Sequence, residues 1–347
     1  MSTDSGGLAS FDRAMRETFG WYTVSKKEFK DAIRSKGLWL LGAVFTVLFV
    51  APVAGALYLD IGAGSGQQAQ ALQEQGMQFL LSQVYTSTVT LLIPLVAIFV
   101  GFAAISKERT SGSMKILLSL PHSRKDVIIG KVFGRCAVLG VPLVAALTLT
   151  AAFLVASELT FKPELFALFS LFSVLYALVF VSIIVSISGA FENSIWAGAT
   201  SFIFYLFSTY VWNFVANGIG SSLQNELGVE GPIRWHVVLL LKLLNPNQAY
   251  KTLTNSMLND GDTPVLSARL GMFSNNADQE TICTDVLNAV WGTNQIQFAG
   301  QTVEVPVCEG PASVPFFYSD PAVLVFMLAW VGIAATVSYY TFNLADL

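Results

Sequence analysis

Charge is what this sequence has least of. Asp, Glu, Lys and Arg together make up 12% of 347 residues, about half the ~25% usual in a soluble globular chain. Too few charged groups are available to clothe a water-facing surface, and hydrophobic residues reach 54%. Phe (26) outnumbers Lys and Arg together (19), and the net charge is −4. That balance excludes a disordered chain and a nucleic-acid-binding surface. Histidine is almost absent: His122 and His236 are the two, and no C-x-x-C or H-E-x-x-H spacing exists, so a metal centre has little to build on. No G-x-x-x-x-G-K-[ST] loop is present either, since Gly130-Lys131 runs on into Val132. G-x-S-x-G is missing, which leaves no constellation for a hydrolase. The chain reads as an integral membrane protein that is not itself an enzyme.

The missing charges are missing in blocks. Residues 37–59, 75–106, 136–157, 165–191, 193–225 and 321–345 contain none. Each block exceeds the ~20 residues that carry a helix across ~30 Å of hydrocarbon. Spans are predicted at 38–59, 84–105, 132–156, 165–188, 195–216 and 321–342. No charged residue stands in the middle of any of them. This argues against proton-coupled transport, a voltage sensor or an intramembrane aspartyl protease. Pro94 and Pro142 fall within spans, where they could break helices around a substrate site, although single prolines in spans more often produce only kinks.

Basic residues give the orientation. Seven of the nineteen precede the first span, and seven more cluster between residues 107 and 135. The connection at 60–83 has none, and that at 157–164 has only Lys162. The positive-inside rule then places the N-terminus in the cytoplasm, and six spans return the C-terminus there, in a cell membrane. Ala54-Gly55-Ala56 matches a signal-cleavage pattern. About 37 residues precede that apolar run, however, and the run is of span length, so an uncleaved first span is expected. The organisation is a cytoplasmic N-terminus (1–37), five spans (38–216) with a cytoplasmic loop at 106–131, an extracytoplasmic insertion (217–319), and a last span with a short tail (320–347).

The insertion has helix and hairpin signals. Residues 232–244 (PIRWHVVLLLKLL) are apolar but too short to span. An interfacial or cavity-lining helix with Trp235 at headgroup level is expected, and a re-entrant half-helix is the alternative. Asn245-Pro246-Asn247 stops that helix, and 248–258 reads as a second one. Residues 294–307 alternate around Gly300 like a small hairpin, giving a small α/β insertion. Cys283 and Cys308 lie there, and an even pair in an oxidising compartment suggests a disulfide, with two free thiols as the alternative. Cys136, inside a span, reads as a small apolar residue.

Two cytoplasmic elements stand out. In 106–135 (SKERTSGSMKILLSLPHSRKDVIIGKVFGR), Met114, Leu117, Leu118 and Leu120 form the apolar part of a short helix that ends at Pro121. Ser123 and Asp126 have capping-box spacing for the helix of the third span. This element could be a lipid-surface anchor or a docking element for a cytoplasmic partner. Before the first span, Phe19, Tyr22, Phe29 and Ile33 share a helical face, which predicts an amphipathic interfacial helix. It could anchor or transmit motion.

Glu108-Arg109-x-x-Gly112, then Leu117-Leu118-Ser119-Leu120-Pro121-x-x-Arg124, then Gly130-Lys131, resembles the signature of ATP-binding-cassette type-2 permeases. The similarity is greatest to the subgroup associated with nitrous-oxide-reductase maturation and with multidrug or sodium efflux. Lys27-Glu28-Phe29 with Arg34-Ser35-Lys36, the Asn245-Pro246 element and the closing Asp346-Leu347 are also similar. Phe342-Asn343-Leu344 departs from the pattern, because relatives often carry a basic residue there. The resemblance implies an all-α polytopic fold of six transmembrane helices of the type-2 exporter kind. It implies a coupling helix within 111–120, seated on a separate ATPase, with Glu108, Arg109, Gly112, Met114, Leu117, Leu118, Pro121 and Arg124 making or fixing the contact. The implied function is the permease subunit of an ATP-driven exporter. No cofactor belongs to this chain; ATP and Mg²⁺ would be held by the partner ATPase. Two permease chains, identical or related, would pair in lipid. The alternative is a membrane-anchored scaffold whose extracytoplasmic segment binds a partner.

Overall fold

The computed structural model describes residues 5–58, 77, 80–111, 123–156, 161–229, 231–258, 268–269, 272–273, 276–298, 301–309 and 314–344, and the structural statements below concern these. The fold is all-α and polytopic. Among the described residues, six helices are long and apolar enough to cross a membrane: Lys36–Gly55, Leu80–Thr110, Lys125–Ala156, Pro163–Ala190, Ser194–Asn225 and Asp320–Thr341. They fall where the charge-free blocks predict them. The fifth runs past the expected end at 216 because Asn217, Gln224 and their neighbours are uncharged and continue the helix to Asn225.

Two helices, α1 (Ser5–Thr18) and α2 (Gly20–Ile33), precede α3 (Lys36–Tyr58), the first span. The second span opens with a π-helical turn (Leu80–Tyr85), continues as α4 (Thr86–Gly101) and leads through a turn into the short α5 (Ser106–Thr110). Next come α6 (Arg124–Ala156) and α7 (Pro163–Ala190). The fifth span is α8 (Ser194–Leu206), a π turn (Phe207–Val211) and α9 (Trp212–Asn225). Two further helices, α10 (Pro232–Leu244) and α11 (Pro246–Leu258), precede α12 (Asn276–Thr281) with its π turn (Ile282–Val286). An antiparallel hairpin of β1 (Val290–Phe298) and β2 (Gln301–Glu309) follows, and α13 (Asp320–Leu344) is the last span.

The helix of the third span starts at the expected capping box. Ser123 Oγ accepts from Asp126 N–H (3.1 Å) while Asp126 Oδ2 accepts from Ser123 N–H (3.1 Å). At 33 residues α6 is about 50 Å long, well beyond a ~30 Å hydrocarbon core. The helix α7 is the mast of the bundle, with 67% of its apolar window buried against 17% for the first and fifth spans. Its Phe166, Phe169, Phe172, Tyr176 and Phe180 recur at spacings of three and four and fill the interior from one side.

The tip of the pair α10–α11 packs inside the helix bundle, as the re-entrant alternative has it, rather than lying along the surface. Trp212 Nε1–H donates to Leu241 O (2.8 Å), and Trp330 Nε1–H donates to Leu244 O (2.8 Å). Trp330 lies ten residues into α13, about 15 Å from its start, so the tip at Asn245 reaches into the bundle. Proline ends one helix and begins the next here: Asn245 Oδ1 caps Asn247 N–H (2.8 Å), with Pro246 at the first position of α11, where no donor is needed.

At the other end of these helices the chain is clamped to the first turn of α13. Arg269 is fully buried; its Nε–H donates to Tyr318 O (3.0 Å) and its Nη2 meets Asp320 Oδ1 (2.7 Å). Ser256 Oγ–H donates to Asp320 Oδ2 (2.7 Å). Cys283 and Cys308 are disulfide-bonded, joining the π turn after α12 to β2. The hairpin pairs Val290 with Glu309 through Phe298 with Gln301, longer on both strands than the alternation predicts.

Candidate functional site

The site begins with two glycines. Gly130 and Gly134 sit one turn apart on α6, and α2 lies directly across them. A Cβ on Gly130 would stand 2.6 Å from Trp21 O, and one on Gly134 would stand 2.7 Å from Glu28 Cβ. Only hydrogen fits at either place, and this lets the two backbones approach. The face of α2 that is buried carries Trp21, Val24 and Glu28, with the Trp21 ring 5.1 Å from Phe133. Of the predicted stripe, Phe19 and Ile33 are exposed and Tyr22 and Phe29 are half-buried.

Close approach brings charges together. Lys131, fully buried, has its Nζ 3.0 Å from Glu28 Oε1 and 2.8 Å from Glu108 Oε1. Arg135, one turn further along α6, meets Glu28 Oε2 at 2.8 Å. One ammonium thus ties α2, α5 and α6 at a single point. Burial pushes the Glu28 carboxyl up, but Lys131 and Arg135 outweigh it and hold it below the usual carboxylate range. Two carboxylates answered by two cations form a closed set, which a buried site requires if no charge is to be left uncompensated.

The short α5 is fixed from its other side by α7. Ser188 Oγ accepts from Ile105 N–H (3.0 Å) and Ser106 N–H (3.2 Å), donors that the turn at 102–105 has freed from the helical ladder. Arg109 Nη1 donates to Gly189 O (3.0 Å), and its Nη2 lies 3.8 Å from Glu192. Glu108 therefore faces α6 and α2 while Arg109 faces the end of α7. Of the other residues that the resemblance singles out, Gly112, Met114, Leu117, Leu118 and Pro121 lie outside the described residues, as does all but the first residue of the expected helix at 111–120. Arg124 begins α6, and its side chain is not described. Sequence reasoning missed Lys131 and Glu28 as the centre of the junction. The available signal was Lys131 and Arg135 at i, i+4, each one residue after a glycine of the Gly130/Gly134 pair.

A second polar cluster lies at the re-entrant tip. The Tyr176 hydroxyl donates to Asn247 Oδ1, Asn247 Nδ2 donates to Thr209 Oγ1 (3.0 Å), and Ser173 shares a hydrogen bond with Tyr250 (2.9 Å). The π turn at 207–211 interrupts the ordinary ladder, and Ser208 O accepts from Asn245 Nδ2 (2.7 Å) instead. All the partners are neutral, and each buried polar group named here has a hydrogen-bond partner, as burial requires.

A multi-span helical chain with a re-entrant pair, charge-locked on one side to an amphipathic helix and a short connecting helix, has the form of a membrane transport subunit. A family model described as "ABC-2 family transporter protein" matches residues 22–347, and the chain belongs to this family. It is similar to a protein of Stutzerimonas stutzeri named probable ABC transporter permease protein NosY, 28% identical over 240 residues, covering 68% of this chain and 81% of that one. A protein of the same name from Pseudomonas aeruginosa is 28% identical over 118 residues, 34% of this chain and 39% of that one. Family and relatives together support a multi-pass permease subunit of an ABC transporter.

Proposed function

We propose that this chain is the permease half of an ATP-driven exporter in the cell membrane, with both termini and α5 on the cytoplasmic side and the disulfide-bonded insertion outside. A separate ATPase chain, holding ATP and Mg²⁺, grips the segment 111–120 between α5 and α6. Two permease chains, identical or related, enclose the path. The observation that carries this reading is Lys131: one buried cation binds the element that enters the gripped segment (Glu108 on α5) and the helix that leads into the first span (Glu28 on α2). A push on 111–120 is then delivered to the first three spans at once. Switching follows from a difference in contacts between two states of this junction.

The test is co-purification of the tagged chain with the ATPase encoded beside it, and ATP hydrolysis in lipid with and without Glu108→Lys and Arg124→Glu. Association with turnover altered by both changes supports the proposal. If no ATPase associates, the reading fails and the scaffold alternative takes its place.

A further inference from the structure

The first two spans form a cleft. The helices α3 and α4 both lean on α6. At the end remote from α2 they are joined through the second span's π turn, where the Tyr85 hydroxyl donates to Phe49 O (2.6 Å) and the two rings lie 5.4 Å apart. Toward α2 they diverge and scarcely touch. The gap is a cavity of about 750 Å³. Its walls are apolar, with Leu41 and Val44 on α3 and Val96 and Phe99 on α4, and its floor is Val138 of α6. It opens sideways, for Leu40 and Phe99 at its mouth are 67% and 78% exposed.

The α2 end of the cavity is of a different character. Lys27, Glu28, Asp31, Glu108 and Arg135 all border it. Glu28 and Glu108 are answered by Lys131 and Arg135. Lys27 and Asp31 remain, one charge of each sign, at i, i+4 on the exposed side of α2. Arg135 adds a buried Nε–H with no hydrogen-bond partner. The cavity therefore presents hydrocarbon walls that open to the hydrocarbon of the bilayer, and at its polar end donors for a phosphate beside an acceptor for an amine. Its border carries no excess of either sign once Lys131 is included.

We infer that this cleft binds one zwitterionic phospholipid from the leaflet on the α2 side. Its acyl chains lie between α3 and α4, its phosphate meets Lys27 and Arg135, and its ammonium meets Asp31. Charge complementarity selects a zwitterion over phosphatidylglycerol, because only the zwitterion brings a cation to answer Asp31. The lipid wedges α2 against α3 beside the Glu28–Lys131–Glu108 junction. Its binding requires only that the chain span a membrane, so it can fail or hold independently of the transport reading.

The full chain would be reconstituted in vesicles of equal phosphatidylethanolamine and phosphatidylglycerol, extracted in mild detergent and weighed by native mass spectrometry. One retained phosphatidylethanolamine per chain is expected, favoured about tenfold over phosphatidylglycerol. Val44→Trp with Val96→Trp, which fills the cleft and leaves every charge in place, is expected to lower retention about tenfold with the melting temperature unchanged. Asp31→Asn, which removes the acceptor for the ammonium, should reduce the preference between the lipids without emptying the cleft. Equal retention of the two lipids, or retention indifferent to the tryptophans, overturns the inference. So does oxidative cross-linking of Phe99→Cys between copies in the membrane, since that outcome gives the cleft to a second chain.

Discussion

At the scale of the residue, Lys131 has the greatest consequences for the fewest atoms. It is buried with two carboxylates against it, and removing one member of a buried ionic set costs ~3–5 kcal/mol because the remaining charges are left uncompensated. Lys131→Met is expected to destabilise the chain by about that amount in thermal denaturation in lipid. Adding Glu108→Gln to it should recover more than half, because the neutralised pair leaves Glu28 with Arg135 still answering it. Additive losses in the double variant would show that these residues do not act as a network. The same network fixes the response to acid. The Glu28 carboxyl titrates below its unfolded value of about 4.5. Its contribution is therefore complete above that value and is lost as pH falls through the lower folded value. The charged groups that face it are Lys131, Arg135 and Lys27. A spin label on Lys30→Cys should report α2 docked and immobile from pH 7.5 to 5, with release only below the unfolded carboxyl value. Release near pH 6 would mean that some other group holds the helix.

At the scale of the element, α2 is held by the absence of two side chains. Gly130→Leu or Gly134→Leu drives a side chain into Trp21 O or Glu28 Cβ and should cost ~1–3 kcal/mol, as overpacking does. Hydrogen exchange over residues 20–33 should rise in both. Gly140→Leu, on the same helix where a Cβ meets nothing within 4 Å, should leave it unchanged. A rise with Gly140→Leu as well would point to a general effect of leucine on α6. This element also marks how far the sequence could be read. The spans, the capping box and the Asn-Pro break follow from one-dimensional signals: runs without charge, a serine three before an aspartate, a proline that cannot continue a helix. The docking of α2 does not, because its apolar stripe at Phe19, Tyr22, Phe29 and Ile33 suits lipid, whereas the contact with α6 is made by a tryptophan, a valine and a glutamate. A charged residue on a contact face is recognisable only when its partner, more than a hundred positions away, is known to lie opposite. The placement of 232–244 escaped the sequence for a like reason. A mostly apolar thirteen-residue stretch carrying Arg234, His236 and Lys242 favours an interface over a half-span, and what draws its end into the bundle is a hydrogen bond from Trp330 on the last span to Leu244 O.

At the scale of the whole molecule, the uneven burial of the spans is itself informative. The mast α7 is largely enclosed, but the first and fifth spans present most of their apolar surface outward. On the fifth, Trp196, Ile203, Phe207, Tyr210 and Phe214 are exposed, at spacings of seven, four, three and four. That is the seam of a helix made to pack on another. In lipid such a seam gains nothing from the hydrophobic effect, so large rings on it are of use only where they fit a partner by shape. The cleft between the first two spans differs, being charged at one end and suited to a headgroup. A second chain is therefore expected on the fifth span. Tyr210→Cys should cross-link to a dimer under mild oxidation in native membranes. Val144→Cys, on the exposed face of α6, should not. The reverse pattern would place the partner on the third span. It would leave the aromatic seam to lipid and require the junction at Lys131 to transmit motion across a different interface.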